Sequence, residues 1–128
     1  MNKIDNSIDH HDPFGFFVRQ GDFQRKCYYS EILWVEADRC YSDIYRKGKS
    51  RISVVHPMAS VEQMLPKEWF MRIHRSYIVN LRFVDGFVGN SVCIGEKMLP
   101  ISAPYKENLY AYFHFLDSLR RKKCGNKS

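Results

Sequence analysis

The run Phe70-Met-Arg-Ile-His-Arg-Ser-Tyr-Ile-Val-Asn80 constrains this chain more than any other segment. Two hydrophobic stretches flank a polar centre made of Arg72, His74, Arg75 and Ser76. Ile73, Ile78 and Val79 are β-branched, which favours extended backbone over helix. The pattern predicts a buried frame that holds a few cationic and hydrogen-bonding side chains in fixed positions. Such a cluster suits chemistry on a phosphate or recognition of nucleic acid, and the rest of the sequence must choose between them.

The surrounding sequence is a series of short strand-like runs. Phe14 to Arg19 and Phe23 to Tyr29 flank Gly21-Asp22, a good hairpin loop, and Ile32 to Ala37 follows. Cys40 to Arg46 and Arg51 to Val55 flank Lys47-Gly48-Lys49. Phe87-Val88, Ser91 to Ile94 and Lys97 to Ile101 are separated by Gly89-Asn90 and Gly95-Glu96. Short strands with glycine turns at this spacing predict a mostly antiparallel β domain. Two helices interrupt it. Ser60 with Gln63 reads as a capping box that starts a short helix, Val61 to Leu65, ended by Pro66. Ser102, Ala103 and Pro104 start a longer one, in which Tyr105, Leu109, Tyr112, Phe113, Leu116 and Leu119 form a core-packing stripe. Arg120 to Lys123 complement the dipole at its end.

Length and charge set limits. At 128 residues the chain suits one domain, and 45% apolar residues can build its core. We divide it into a flexible polar leader (1–13), a folded domain (14–119) and a basic tail (120–128). The formal charge is +6, but Arg120, Arg121, Lys122, Lys123 and Lys127 hold most of it, and the body balances 15 bases against 14 acids. Anion binding on the body must therefore come from local clusters, while the tail can add non-specific attraction to DNA phosphates. Cys27, Cys40, Cys93 and Cys124 form no CxxC pair and no zinc pattern, so reduced, mostly buried cysteines are expected. His10-His11 with Asp9 and Asp12 is too weak a pattern to assign a metal, and no cofactor is implied. There is no signal segment and no bilayer-length apolar run, which makes the cytoplasm the expected location and membrane association unexpected.

The residues point away from an enzyme. His74, Arg75 and Ser76 are adjacent in sequence, and in a strand neighbouring side chains point to opposite faces, so they cannot converge as a triad. His56 and His114 have no partner that the sequence locates, and no hydrolase, zinc, P-loop or dinucleotide motif is present. Nucleic-acid binding fits better. Arg75 is the residue type best suited to bidentate contact with a guanine edge or a phosphate. His74 is expected to be structural, Asn80 to close a turn before Leu81, and Arg72 to face solvent.

The run from Phe70 to Asn80 resembles the signature of the LytTR family of bacterial DNA-binding domains. Other elements resemble the family in the right order. They are Ile32-Leu-Trp-Val-Glu36-Ala37-Asp38-x-x-Tyr41, the helix at Ser60 to Leu65, and Leu99-Pro100-Ile101-Ser102 before the last helix. The resemblance spans about residues 14–119. It implies an elongated domain of short antiparallel strands in small sheets, with one short helix and one C-terminal helix. It also implies duplex DNA binding by loops that enter successive major grooves, commonly with two copies on promoter repeats. Carried over by position, the loop after Glu36-Ala37 brings Arg39, Tyr41 and Ser42 to DNA. The signature brings Arg75 and Ser76, and the last helix brings Lys106 near phosphate.

Two departures matter. Family members commonly carry Arg directly after the Ser that opens the last helix, and here that position is Ala103. Either specificity rests more on Arg75 and the Arg39 loop, or Lys106 partly substitutes, as a point charge in place of a planar fork. Thirteen polar residues also cannot form the receiver domain that often precedes this one, which makes a stand-alone regulator or a fragment the expectation. Candidate partners are double-stranded DNA, a second copy on repeated sites, and RNA polymerase or another regulator. The rival reading is a protein-interaction module or inhibitor that uses the fold without reading DNA. A nuclease built on His74 is the remote third.

Overall fold

The computed structural model describes residues 12–116. Ten strands form three antiparallel sheets. β1 (Gly15–Gln20) and β2 (Phe23–Tyr28) pair as a hairpin. β3 (Ile32–Asp38), β4 (Tyr41–Arg46), β5 (Lys49–Val54), β6 (Phe70–His74) and β7 (Tyr77–Asn80) form a five-stranded sheet in the order β5-β4-β3-β7-β6. β8 (Gly86–Val88), β9 (Ser91–Ile94) and β10 (Lys97–Pro100) form a three-stranded meander. Helix α1 (Met58–Glu62) lies between β5 and β6, and α2 (Ala103–Tyr112) follows β10. The mostly β architecture expected from the sequence is the one observed.

The five-stranded sheet is covered on both faces. On one side Ile32, Val35, Ile44, Ile52 and Ile78 pack against the β1–β2 hairpin and against Met58 and Val61 of α1. On the other, Trp34, Ile73 and Val79 pack against Val92, Ile94 and Leu99 of the meander and Leu109 of α2. This explains the signature run. β7 sits between β3 and β6, so its alternate residues Ile78 and Val79 are both needed as core, one for each side. Each such burial stabilises by roughly 1.5–3 kcal/mol. Register shifts adjust which side a residue faces. One between Ile32 and Trp34 lets Ile32 and Val35, three apart, serve the same core.

The signature is a hairpin and not one strand. Arg75 and Ser76 are its two-residue turn, with His74 opposite Tyr77. The opposite-face reason for rejecting a triad therefore does not hold at these residues. What removes His74 from such a role is its engagement: its Nδ1 accepts the Ser76 backbone N–H at 3.0 Å.

Both helices differ from their expected bounds. The first begins one turn earlier, after Pro57, whose carbonyl accepts the Ser60 and Val61 N–H groups. No capping bond comes from the Ser60 side chain. Buried Met58 anchors this early start. The second helix stops at Tyr112, and Phe113 is extended (φ −103°, ψ 158°). Leaving the helix lets Phe113 and Phe115, two apart, both reach Phe87, with ring centroids at 5.5 and 5.4 Å. Among the described residues of the expected stripe only Leu109 is buried, whereas Tyr112 and Leu116 are exposed. Leu119, the basic residues after it and most of the leader lie outside the described residues. Asp12 is described, and it accepts the Phe14 N–H and pairs with Lys26 at 2.6 Å. The cysteines divide. Cys27 is buried, which pushes its thiol up to about 11, but Cys40 is exposed, contrary to the expectation of burial.

Asn80 ties the two sides of the sheet to the chain reversals at its end. It is fully buried. Its Nδ2 donates to the Ile32 and Tyr29 carbonyls at 2.9 and 3.3 Å, and its Oδ1 accepts the Arg82 N–H at 3.0 Å. The last bond caps the 3-10 turn Leu81–Phe83. Asn80→Ala should destabilise the domain by about 3 kcal/mol, because two buried backbone carbonyls and the part-buried Arg82 N–H lose a partner. Urea unfolding checks this, and a loss under ~1 kcal/mol would mean the network carries little.

Candidate nucleic-acid interface

Antiparallel pairing brings two arginine-bearing turns to one end of the five-stranded sheet. The β3–β4 turn is Arg39-Cys40, and the β6–β7 turn is Arg75-Ser76. Glu36 on β3 lies opposite Tyr77 on β7, and the Ala37 N–H donates to the Ser76 carbonyl at 2.9 Å. The hairpins are neighbours, so their centres lie about two strand spacings apart, roughly 10 Å. Arg39, Cys40, Tyr41 and Arg75 are exposed and Ser76 is half-buried. Among the described residues, no hydrogen bond or ion pair engages the guanidinium of Arg39 or Arg75.

The two turns are built differently. Four other hairpin turns use glycine at positive φ: Gly21, Gly48, Gly89 and Gly95. Arg39 adopts the same left-handed conformation, φ 62°, and is the described non-glycine residue that does so. Holding an L-residue there costs roughly 1–2 kcal/mol. The turn is thus a place where the chain carries strain and a long cationic side chain together. A glycine-free two-residue loop, Asp38-Arg39-Cys40-Tyr41, is the signal in the sequence that this strain would exist.

The Arg75-Ser76 turn is held by polar clamps. Its central peptide is fixed at both ends: Arg72 donates to the Arg75 carbonyl at 3.0 Å, and the Ser76 N–H donates to His74. The Ser76 carbonyl takes the Ala37 N–H described above. Arg72 is itself anchored, with its Nε and a terminal nitrogen on Glu62 of α1 at 3.3 and 2.9 Å. It does not simply face solvent, and the sequence held no sign of this partner ten positions away.

Two further expected contacts stand elsewhere. Ser42 is fully buried, and its hydroxyl donates to the His56 carbonyl at 2.7 Å, so the expectation that it faces DNA is corrected. Position 42 points inward because Tyr41, one residue earlier in the strand, points out. Lys106 is half-buried and its Nζ donates to Asn90 Oδ1 at 2.7 Å, at the β8–β9 turn. The same end of the molecule is reached from α2 by its N-cap, since the Ser102 N–H donates to the Ile73 carbonyl at 2.9 Å.

The Arg39 and Arg75 turns place two cationic side chains at one end of the sheet. The sheet surface behind them carries Glu36 and Asp43. Burial, then the Glu36 charge, pushes the Tyr77 phenol up from its ordinary value. Asp43 is nearly buried and accepts the Ser53 hydroxyl at 2.6 Å. Among the described residues no group of three or more His, Cys, Asp or Glu side chains could hold a metal ion. No described helix is long and apolar enough to cross a membrane.

Comparison with known proteins identifies the family and the fold. The model of the LytTr DNA-binding domain matches residues 25–114. Among solved structures, the chain resembles the LytTr DNA-binding domain of a Bacillus cereus protein described as a methyl-accepting/DNA response regulator. The TM-score is 0.66 at 18% identity, covering 81% of this chain and 100% of that one, a likeness of fold. A search of curated proteins gives no match. The chain belongs to the LytTr DNA-binding domain family, which carries DNA binding in transcription regulation and is not an enzyme family.

Proposed function

We propose that this protein is a cytoplasmic bacterial transcription regulator that reads duplex promoter DNA with Arg39, Tyr41, Arg75 and Ser76. The observation that carries this reading is the pair of neighbouring turns, each presenting an exposed arginine whose guanidinium has no hydrogen-bond or ion-pair partner among the described residues. At a separation of roughly 10 Å they suit adjoining features of a duplex, a major groove about 12 Å wide and the backbone beside it. Phosphate contacts fix the register, and the two guanidiniums supply the base-reading forks. Engagement of the next major groove falls to the start of α2. There Ala103 stands where the family commonly has Arg, so base reading by that part is weak and Lys106 adds charge alone. Two copies on repeated sites would compensate for the lost fork by adding the contacts of a second domain. RNA polymerase or another regulator is a candidate further partner.

Three outcomes follow for a duplex selected from random-sequence DNA by the wild-type protein. Arg75→Ala should weaken binding by roughly 1–3 kcal/mol and relax base preference at one position. Fluorescence-anisotropy titration against single-base variants of the duplex reads both, and unchanged affinity and selectivity would remove Arg75 from the interface. Arg39→Gly should raise folding stability by about 1 kcal/mol, since the left-handed position no longer carries a Cβ, while binding weakens at least several-fold. A variant that is neither more stable nor weaker in binding would show that Arg39 is ordinary surface. Deleting residues 120–128 should weaken binding to selected and shuffled duplexes alike and flatten the dependence on salt. An unaltered salt slope would make the tail a bystander. A wild-type protein that binds selected and shuffled duplexes equally would favour the protein-interaction reading instead.

A further inference from the structure

We infer that Arg72 and Glu62 form a positioning pair, which sets the direction of Arg75 by clamping the peptide between Arg75 and Ser76. This rests on the reading of Arg75 as a DNA contact. Arg72 stands on β6 and Glu62 is the last residue of α1, so the pair joins the helix to the hairpin. The guanidinium uses two nitrogens on Glu62 Oε1 and a third on the Arg75 carbonyl. The same peptide's N–H is bound by His74 Nδ1. A peptide held at both its carbonyl and its N–H cannot rotate, and its orientation sets ψ of Arg75 and hence where its side chain departs.

The register makes this geometry specific to Arg72. Alternation along β6 puts Arg72 on the α1 side of the sheet with Phe70, while Met71 and Ile73 serve the opposite core. The Arg72 side chain is only 21% exposed, against 42% for Glu62, so its charge is largely withdrawn from solvent. An arginine that served mainly as a phosphate contact would leave its fork open. Here the fork is spent inside the protein, and the neighbouring turn carries the open one. α1 gains a role from this: its buried residues Met58 and Val61 fix the helix, and the helix carries Glu62 to the clamp.

Lysine at position 72 would keep the charge and lose the planar fork that spans carboxylate and carbonyl. The test is a double-mutant cycle between Arg72→Lys and Arg75→Ala, with Glu62→Gln as a milder variant on the more exposed side of the pair. Each is titrated with the duplex selected by wild type and with a shuffled duplex of the same composition, after thermal unfolding shows it folded. Arg72→Lys should lower affinity for the selected duplex about tenfold and for the shuffled one less than about twofold. In the Arg75→Ala background the same substitution should have almost no further effect, and Glu62→Gln should reproduce the selective loss more weakly. Equal losses on both duplexes that persist without Arg75, with a shallower salt slope, would show a direct phosphate contact and overturn the inference. So would unchanged selectivity in both Arg72→Lys and Glu62→Gln while Arg75→Ala remains defective. If Arg75→Ala is itself neutral, the reading of Arg75 fails, and the role of Arg72 falls with it.

Discussion

Burial of β3 and β7 on both faces is the constraint from which the rest of the domain follows. Side chains alternate between faces, so a one-residue slip would turn every residue of these strands to the wrong side and exchange two sets of core residues shaped for different partners. Ile78 belongs to the core beneath the β1–β2 hairpin and Val79 to the core beneath the meander. Their register fixes Tyr77 opposite Glu36 and so brings the Arg75-Ser76 turn beside the end of β3. The relation between the two arginine turns is therefore set deep in the protein and not at the surface where they are exposed. Asn80, at the other end of β7, locks the same strand to the Tyr29 and Ile32 carbonyls.

The two turns show different ways of holding an exposed arginine ready. Arg39 is placed by a strained backbone angle that the paired strands on either side enforce. Arg75 is placed by hydrogen bonds to the turn from Arg72, His74 and Ala37. Both reduce the conformational freedom lost when a ligand binds, which is where preorganised sites gain affinity. Strain at Arg39 is sustained because the cores on each side of the sheet exceed its cost by a wide margin.

Much of this was legible in the sequence because periodicity and glycine turns report on local backbone. Strand positions agree with expectation to within a residue or two, and Gly21, Gly48, Gly89 and Gly95 all mark turns. The signature's polar centre was readable as special, yet not as a turn, since Arg75-Ser76 has none of the Gly, Asn or Asp that two-residue hairpin loops favour. Helix bounds were missed where tertiary packing overrode local signals. Met58 and Pro57 outweighed the Ser60–Gln63 pattern, and Phe87 drew Phe113 and Phe115 out of the helix. The Arg72–Glu62 pair and the inward direction of Ser42 depend on contacts across the fold, to which a single sequence gives no access. The charge balance was also informative: with the body near neutral, any anion site had to come from a local cluster of basic residues.

The central claim is that the two turns at this end of the five-stranded sheet are one DNA-binding surface. Backbone amide chemical shifts, followed by NMR as a selected duplex is added, test it most directly. The account predicts the largest changes at residues 38–41 and 74–77, moving together at one stoichiometry, with the Lys47-Gly48 turn at the sheet's other end unaffected. Changes centred on Lys47-Gly48 or on the β1–β2 hairpin, with the Arg39 and Arg75 turns silent, would contradict it.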